Sequence, residues 1–320
     1  MKGVTIESKQ LHIWTFNNPI RGISDQIEFL LDSVSENGYK ASVSRRPSVQ
    51  GLNIIIENLD ESTLAVVAKF SRDTGKRLAV VVTEHMDFKD GKILFHGAPL
   101  ESPSEYMHPV SKQIRLIHLF LARPYVRYLL KLGDLPSLEG VDRMFPSIPI
   151  LTLPFPYIKA ANRAARGGGE PQYDFVFAGN LTRYRERVLA MFSGRFSLYV
   201  VKRALSRRQR DAAYSRARVV LNIPQDPDWV WVSSMRVLAA WRCGRPVINV
   251  GNAASGEVAP FCCNVPDVEG GEALLRVVVG RYREEAARQM QQYHLFCGRT
   301  EAPAFPHAAL WAWSVVEKNA

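Results

Sequence analysis

The stretch Trp229-Val-Trp-Val-Ser-Ser-Met-Arg-Val-Leu-Ala-Ala-Trp-Arg-Cys-Gly-Arg-Pro-Val-Ile-Asn249 reads as a loop, a helix opening and a buried strand in succession. Ser233 and Ser234 stand where a helix N-cap belongs, so their hydroxyls and the free backbone N–H groups face one spot that the helix dipole also makes favourable to an anion. Arg236 falls in the first turn, where the dipole opposes a cation, and its presence there predicts a negative group bound beside it. Gly244 ends the helix, and Pro246-Val-Ile-Asn-Val250 resumes as a short apolar strand. Phosphate binding is the chemistry this order of elements predicts.

Outward from that stretch the chain alternates strand and helix, the rhythm of a doubly wound α/β protein. Val219-Val-Leu-Asn-Ile223 precedes it as a strand, and Tyr173-Asp-Phe-Val-Phe-Ala-Gly-Asn180 reads as a strand and glycine turn. In the first half, Leu11 to Phe16 reads as a strand, Asn17 to Gly22 as a loop, and Asp25 to Val34 as an amphipathic helix ended by Asn37-Gly38. Leu52 to Ile56 and Arg77 to Val82 are apolar runs suited to a buried parallel sheet, with helical spacing between them from Glu61 to Thr74. A proline-rich passage, Phe145 to Tyr157, leads to a connector carrying Gly167-Gly-Gly169. The expected domains are 1–155, a linker at 156–172, a second domain at 173–302 and a terminal helix at 303–320.

The segment around Ser234, with Tyr173–Asn180 and the following Arg183, Arg187 and Val188-Leu189, resembles the donor-binding half of GT-B fold glycosyltransferases. The likeness is to the spore-maturation (CgeB-like) group and its group 1 relatives, whose motif runs Ser-x-Arg-x-x-Glu-Ala-x-x-Cys-Gly. Ser234, Arg236, Ala240, Cys243 and Gly244 stand in that register. Ala239 replaces the glutamate that holds the donor ribose in those families, and Trp231 replaces the other glutamate of their Glu-x7-Glu pattern. The resemblance implies two Rossmann-like domains facing a cleft, with the last helix returning to the first domain. It also implies a hexosyltransferase-like reaction whose donor substrate is a nucleoside diphosphate sugar, with no further cofactor. Gly179, Arg183, Arg187, Ser233, Ser234 and Arg236 are then the donor and phosphate contacts. Asp226, Asp228, Trp231 and Glu257 are candidates for the ribose or sugar in place of the missing glutamates.

A base for the acceptor hydroxyl belongs in the first domain of an inverting enzyme. Asp25, just past the loop after the first strand, is the first candidate, and as a first-turn helix residue it also suits the dipole. Glu84 and His85 follow the strand ending at Val82, at the edge where open α/β sheets place ligands. No Asp-x-Asp metal motif is evident beyond Asp226-Pro-Asp228, so a metal-independent reaction is expected, with arginine stabilising the leaving diphosphate. The four cysteines have no zinc or disulfide spacing and are read as reduced thiols.

Of the 320 residues, 47% are hydrophobic and 22% charged, an ordinary globular composition. No apolar run approaches the roughly 20 residues needed to span a bilayer, and no signal peptide is evident. A cytoplasmic location is expected. The net charge of +10 is concentrated between Arg183 and Arg218 and favours an anionic partner. Ser111 to Leu132 mixes cations with bulky apolar residues, as a helix lying on an anionic membrane would, and packed helices with snorkelling arginines give the same composition. The acceptor is left open among a glycan, a lipid, a small molecule, a protein and DNA. A DNA-directed glycosyltransferase of viral or bacterial origin and a catalytically degenerate GT-B binding protein are the alternatives to an ordinary transferase.

Overall fold

The computed structural model describes residues 10–18, 20–57, 59–158, 170–202, 205–299 and 303–312. Two compact units divide the chain. The first comprises Met1–Pro19, Gln26–Pro156 and Pro303–Ala320, and the second Ile20–Asp25 and Tyr157–Ala302. Most of the connector expected at 156–172 lies outside the described residues.

The first unit runs β1 (Gln10–Trp14), α1 (Ile20–Glu36, of which Ile20–Asp25 count with the second unit), β2 (Lys40–Ser44), β3 (Leu52–Ile56), α2 (Glu61–Thr74) and β4 (Leu78–Val81). It continues with the strands β5 (Met86–Lys89), β6 (Lys92–Phe95) and β7 (Ala98–Pro99), then α3 (Pro109–Ala122), β8 (Val126–Leu132) and β9 (Ile150–Leu153). Six strands form a parallel sheet in the order β2-β1-β3-β4-β8-β9, and β5 to β7 form a separate antiparallel sheet. Every residue of β3 and β4 is buried, because helices cover both faces of a parallel sheet. Trp14, Ile55, Val67, Phe70, Val80, Leu119 and Leu129 share one core on the α2 and α3 side.

Two sequence expectations change here. Helix α1 begins at Ile20, not at Asp25, because Ile23 joins Ile27, Leu30 and Val34 on one buried stripe at helical spacing. Asp25 is therefore in the second turn and Ser24 is not a cap. The segment from Ser111 to Leu132 is not one helix: α3 stops at Ala122, Pro124 lies in a short 3-10 turn, and Val126–Leu132 is a strand. All of its residues are buried except Arg127 and Lys131, which are half-exposed near its two ends.

In the second unit the order is β10 (Tyr173–Ala178), α4 (Arg183–Phe192), β11 (Leu198–Val201), α5 (Arg207–Ser215), β12 (Ala217–Asn222), α6 (Ser234–Arg242), β13 (Val247–Val250), β14 (Cys263–Val265), α7 (Glu272–Gly280) and α8 (Tyr282–Cys297). Its five-stranded parallel sheet has the order β11-β10-β12-β13-β14. Phe175, Phe177, Leu189, Phe192, Leu221 and Ile248 belong to a core of its own. Buried Gln289 on α8 accepts from Trp241 Nε1 and Val247 N at 2.9 Å each and donates to Val247 O at 3.0 Å, fastening α6 and α8 to β13.

The last helix, α9 (His307–Ala312), belongs to the first unit. Tyr128 donates its hydroxyl hydrogen to Ala309 O at 2.8 Å, and Tyr39 stacks against His307. Of the terminal helix expected at 303–320, residues 313–320 lie outside the described residues. The α/β class, the pair of Rossmann-like units and the terminal helix on the first of them are as the GT-B resemblance implies.

Candidate functional site

The strand order of the second unit creates a switch point. The chain steps from β10 to one side for β11 and returns to the other side for β12, so the loops leaving β10 and β12 diverge above their carboxyl ends. Ligands of open α/β sheets bind in such a crevice. Gly179 follows β10 there. A Cβ at this glycine would meet Arg236 Nη2 at 3.2 Å, Phe177 at 3.3 Å and Arg185 Nη1 at 3.7 Å. Two guanidinium groups thus flank a position without a side chain.

Arg236 lies in the first turn of α6. Its Nη1 donates to Asn222 Oδ1 at 2.7 Å, its guanidinium lies 5.5 Å from the centre of the Phe177 ring, and the Tyr214 side chain also hydrogen-bonds it. No carboxylate pairs with it among the described residues. Burial pushes its pKa below the ordinary arginine value while the Tyr214 hydroxyl works in the opposite direction. An arginine nonetheless stays protonated in a protein, so the site carries a positive charge with no internal counter-ion. Ser233 occupies the cap of α6 without its side chain closing on a helix N–H, and Ser234 is the buried first residue. The first-turn N–H groups of α6 are not closed by the Ser233 side chain and lie on the same helical turn as Arg236.

Arg185 is the site residue that the sequence reading missed. Helix α4 is capped by Thr182, which places Arg185 on the same stripe as Val188, Leu189 and Phe192 and so turns it inward. The i, i+3, i+4, i+7 spacing of those four residues is visible in the sequence, but only an apolar residue was expected on such a stripe. Its Nε and Nη2 donate to Ile223 O at 3.0 and 2.7 Å, and Nη1 donates to Asn180 O at 2.8 Å. It ties the loop after β12 to the turn after β10. Arg183 and Arg187, the arginines picked from sequence, are exposed on α4.

The loops around this crevice hold the remaining donor candidates. Thr182 Oγ1 donates to Gln225 O at 2.7 Å, and Asp226 Oδ1 accepts from Asp228 N at 3.0 Å. Asp226 is half-buried and Asp228 exposed. Trp231 forms a bridge with Ser255, which brings the loop before α6 alongside the loop holding Glu257. Gly251 has φ +87°, and a Cβ there would clash with the Tyr184 hydroxyl. Ala239 is fully buried, so α6 presents no carboxylate at that position.

The candidates for a base are more heavily engaged than sequence suggests. Asp25, which counts with the second unit, forms an ion pair with Arg210 of α5, and Arg210 also binds Asp211 at 2.8 Å. Glu84 accepts from the Tyr106 hydroxyl at 2.7 Å and contacts His96 Nε2 at 2.8 Å and Arg115 Nη1 at 3.1 Å. Burial alone would raise its pKa, but the His96 hydrogen bond and the Arg115 charge outweigh burial and hold it at about 2. Arg115 is shared with buried Glu57 at 2.8 Å. His85 Nδ1 accepts from Ser137 N at 3.1 Å, and burial, with the neighbouring His96, brings its pKa down to about 3. Through His96, Tyr106 and Ser137, Glu84 and His85 tie the turn after β4 to the segments that follow it.

Among the described residues no cluster of His, Cys, Asp and Glu is arranged to hold a metal, and no helix is long and apolar enough to cross a membrane. Cys243 and Cys262 are buried, and Cys263 and Cys297 are half-buried. No family model matches the sequence, and no curated protein matches it. Among solved structures the chain is similar to the apo form of the lipopolysaccharide outer core galactosyltransferase WaaB, at 11% identity and a TM-score of 0.35 over 89% of this chain and 95% of that one. It is also similar to an alpha1,3-fucosyltransferase, at 9% identity and a TM-score of 0.34 over 99% of this chain and 84% of the other.

Proposed function

We propose that the protein is a glycosyltransferase that takes a sugar from a nucleoside diphosphate sugar and holds the diphosphate at Gly179, Arg236 and the N-terminus of α6. The observation that carries this reading is Arg236: a guanidinium at the switch point, without a carboxylate partner among the described residues, beside a glycine and an open helix terminus. As the bond from the anomeric carbon to the diphosphate breaks, negative charge grows on the phosphate oxygens. Arg236 and the α6 N–H groups stabilise that charge in place, which makes a metal unnecessary. Asp25 is proposed as the base for the acceptor hydroxyl if the reaction inverts the anomeric centre. Asp226, Asp228 and Glu257 are proposed for the ribose, since Ala239 cannot hold it. The acceptor stays open among a glycan, a lipid, a small molecule, a protein and DNA.

Calorimetry with inorganic pyrophosphate and a panel of nucleoside diphosphates, followed by donor hydrolysis with and without EDTA, tests the proposal. Arg236→Ala should weaken pyrophosphate binding by about 1.5–3 kcal/mol, the scale of a hydrogen bond to a charged group. Turnover should survive EDTA. Unchanged affinity in a folded Arg236→Ala variant would place the phosphate elsewhere, and activity lost in EDTA but restored by Mn²⁺ would turn attention to Asp226 and Asp228. Binding without turnover of any donor would favour a binding protein that has kept the fold.

A further inference from the structure

We propose that Asn222, Asn249 and Asn264 form a one-way amide relay that positions Arg236 for a diphosphate and leaves its charge uncancelled. The inference rests on the phosphate-binding reading above.

The three asparagines lie side by side on three adjacent parallel strands: Asn222 is in register with Asn249, and Asn249 with Asn264. Asparagine is depleted in strands, and here three follow one another across adjacent strands. Asn222 and Asn249 are essentially without solvent exposure. The direction of the chain of hydrogen bonds follows from its first member. A guanidinium has donors only, so Asn222 must turn its Oδ1 to Arg236 Nη1, at 2.7 Å. Its Nδ2 then faces Asn249 Oδ1 at 3.0 Å, Asn249 Nδ2 faces Asn264 Oδ1 at 2.8 Å, and Asn264 Nδ2 points to Ala259 O at 3.5 Å. Arg236 fixes the sense of all three amides.

Each amide dipole therefore presents its negative end toward Arg236. Aligned dipoles polarise one another, so Asn222 accepts more strongly than an isolated amide would. Such a chain offsets part of the desolvation of a buried cation without supplying a counter-charge. A carboxylate at position 222 would solvate Arg236 better, but it would also neutralise it and compete with the ligand. The relay is a means of keeping an arginine both fixed and fully charged.

The test is pyrophosphate calorimetry on the full chain with Asn222→Asp, Asn222→Ala and Arg236→Ala, each with its melting temperature. Asn222→Asp should bind pyrophosphate about 10- to 100-fold more weakly, because the new carboxylate pairs with Arg236, while it loses the donor to Asn249 Oδ1. Asn222→Ala should lose less affinity and should melt lower. If Asn222→Asp does not fold, Asn249→Asp moves the charge one amide away and is expected to cost about 3- to 10-fold in affinity. A folded Asn222→Asp, or failing that a folded Asn249→Asp, that binds within twofold of the wild type overturns the relay. A wild type that binds neither pyrophosphate nor any nucleoside diphosphate overturns the phosphate site itself. A loss seen in Arg236→Ala but in neither asparagine variant keeps the site and removes the relay.

Discussion

Arg185 and Arg236 differ in what surrounds their charge, and that difference underlies the role proposed for Arg236. Arg185 spends its N–H groups on the carbonyls of Ile223, Pro224 and Asn180, whereas Arg236 has one amide, one phenol and one aromatic face. The second was legible in the sequence because a cation in a first helical turn violates the dipole rule. The first was not, since nothing local distinguishes an arginine on the buried stripe of α4 from the exposed Arg183 and Arg187 until the helix phase is set by Thr182. Asp25 poses the same question. As the acceptor's base, Asp25→Asn should lower turnover by on the order of 10²-fold or more with pyrophosphate affinity unchanged. As a partner of Arg210 only, the same change should cost about 2 kcal/mol of stability and leave turnover near normal. Measuring turnover and melting temperature on one preparation separates the two.

At the scale of elements, the sheet formed by β5 to β7 is held by buried ionisable groups, and its response to acid follows from their pKa values. Glu84 sits at about 2 in the fold against an ordinary 4.5, so the unfolded chain takes up its proton first, and the stability it contributes above pH 4.5 is lost as the pH falls toward 2. His85 sits at about 3 against an ordinary 6.5; buried neutral, it favours the fold above pH 6.5 and that contribution is lost between 6.5 and 3. The melting temperature should begin to fall near pH 6.5, and in His85→Gln the onset should move to about pH 4.5. Superimposable profiles for the two proteins would show that His85 is not held neutral. This sheet was not legible in the sequence: His85 and Glu84 look like residues at the open end of a strand, and their partners Arg115, Tyr106 and Ser137 come from segments whose placement depends on tertiary contacts. The same limit explains β8, where the cations Arg127 and Lys131 suit a snorkelling helix as well as the half-exposed positions of a strand.

For the whole molecule, the net charge of +10 does not say how many cations of the second unit a partner can reach. Much of the cationic run is committed internally. Arg195 pairs with Glu269 and Glu272, Arg210 with Asp25 and Asp211, and Arg218 with Asp174. Arg216 lies over the rings of Tyr173 and Tyr199, and Arg185 is buried against carbonyls. Composition counts these side chains as free because it cannot see their partners, so a broad nucleic-acid surface is a weaker expectation from the fold than from the sequence. Duplex binding measured against salt decides it, since each phosphate neutralised adds about 0.9 to the slope of log affinity against log salt concentration. A slope of about 3 or less is expected here, set by the few exposed arginines of α4 and α5. A slope of about 6 to 10, with tight binding near physiological salt, would instead mean that the internal pairs open onto DNA, and would make the DNA-directed alternative the better account of the charge.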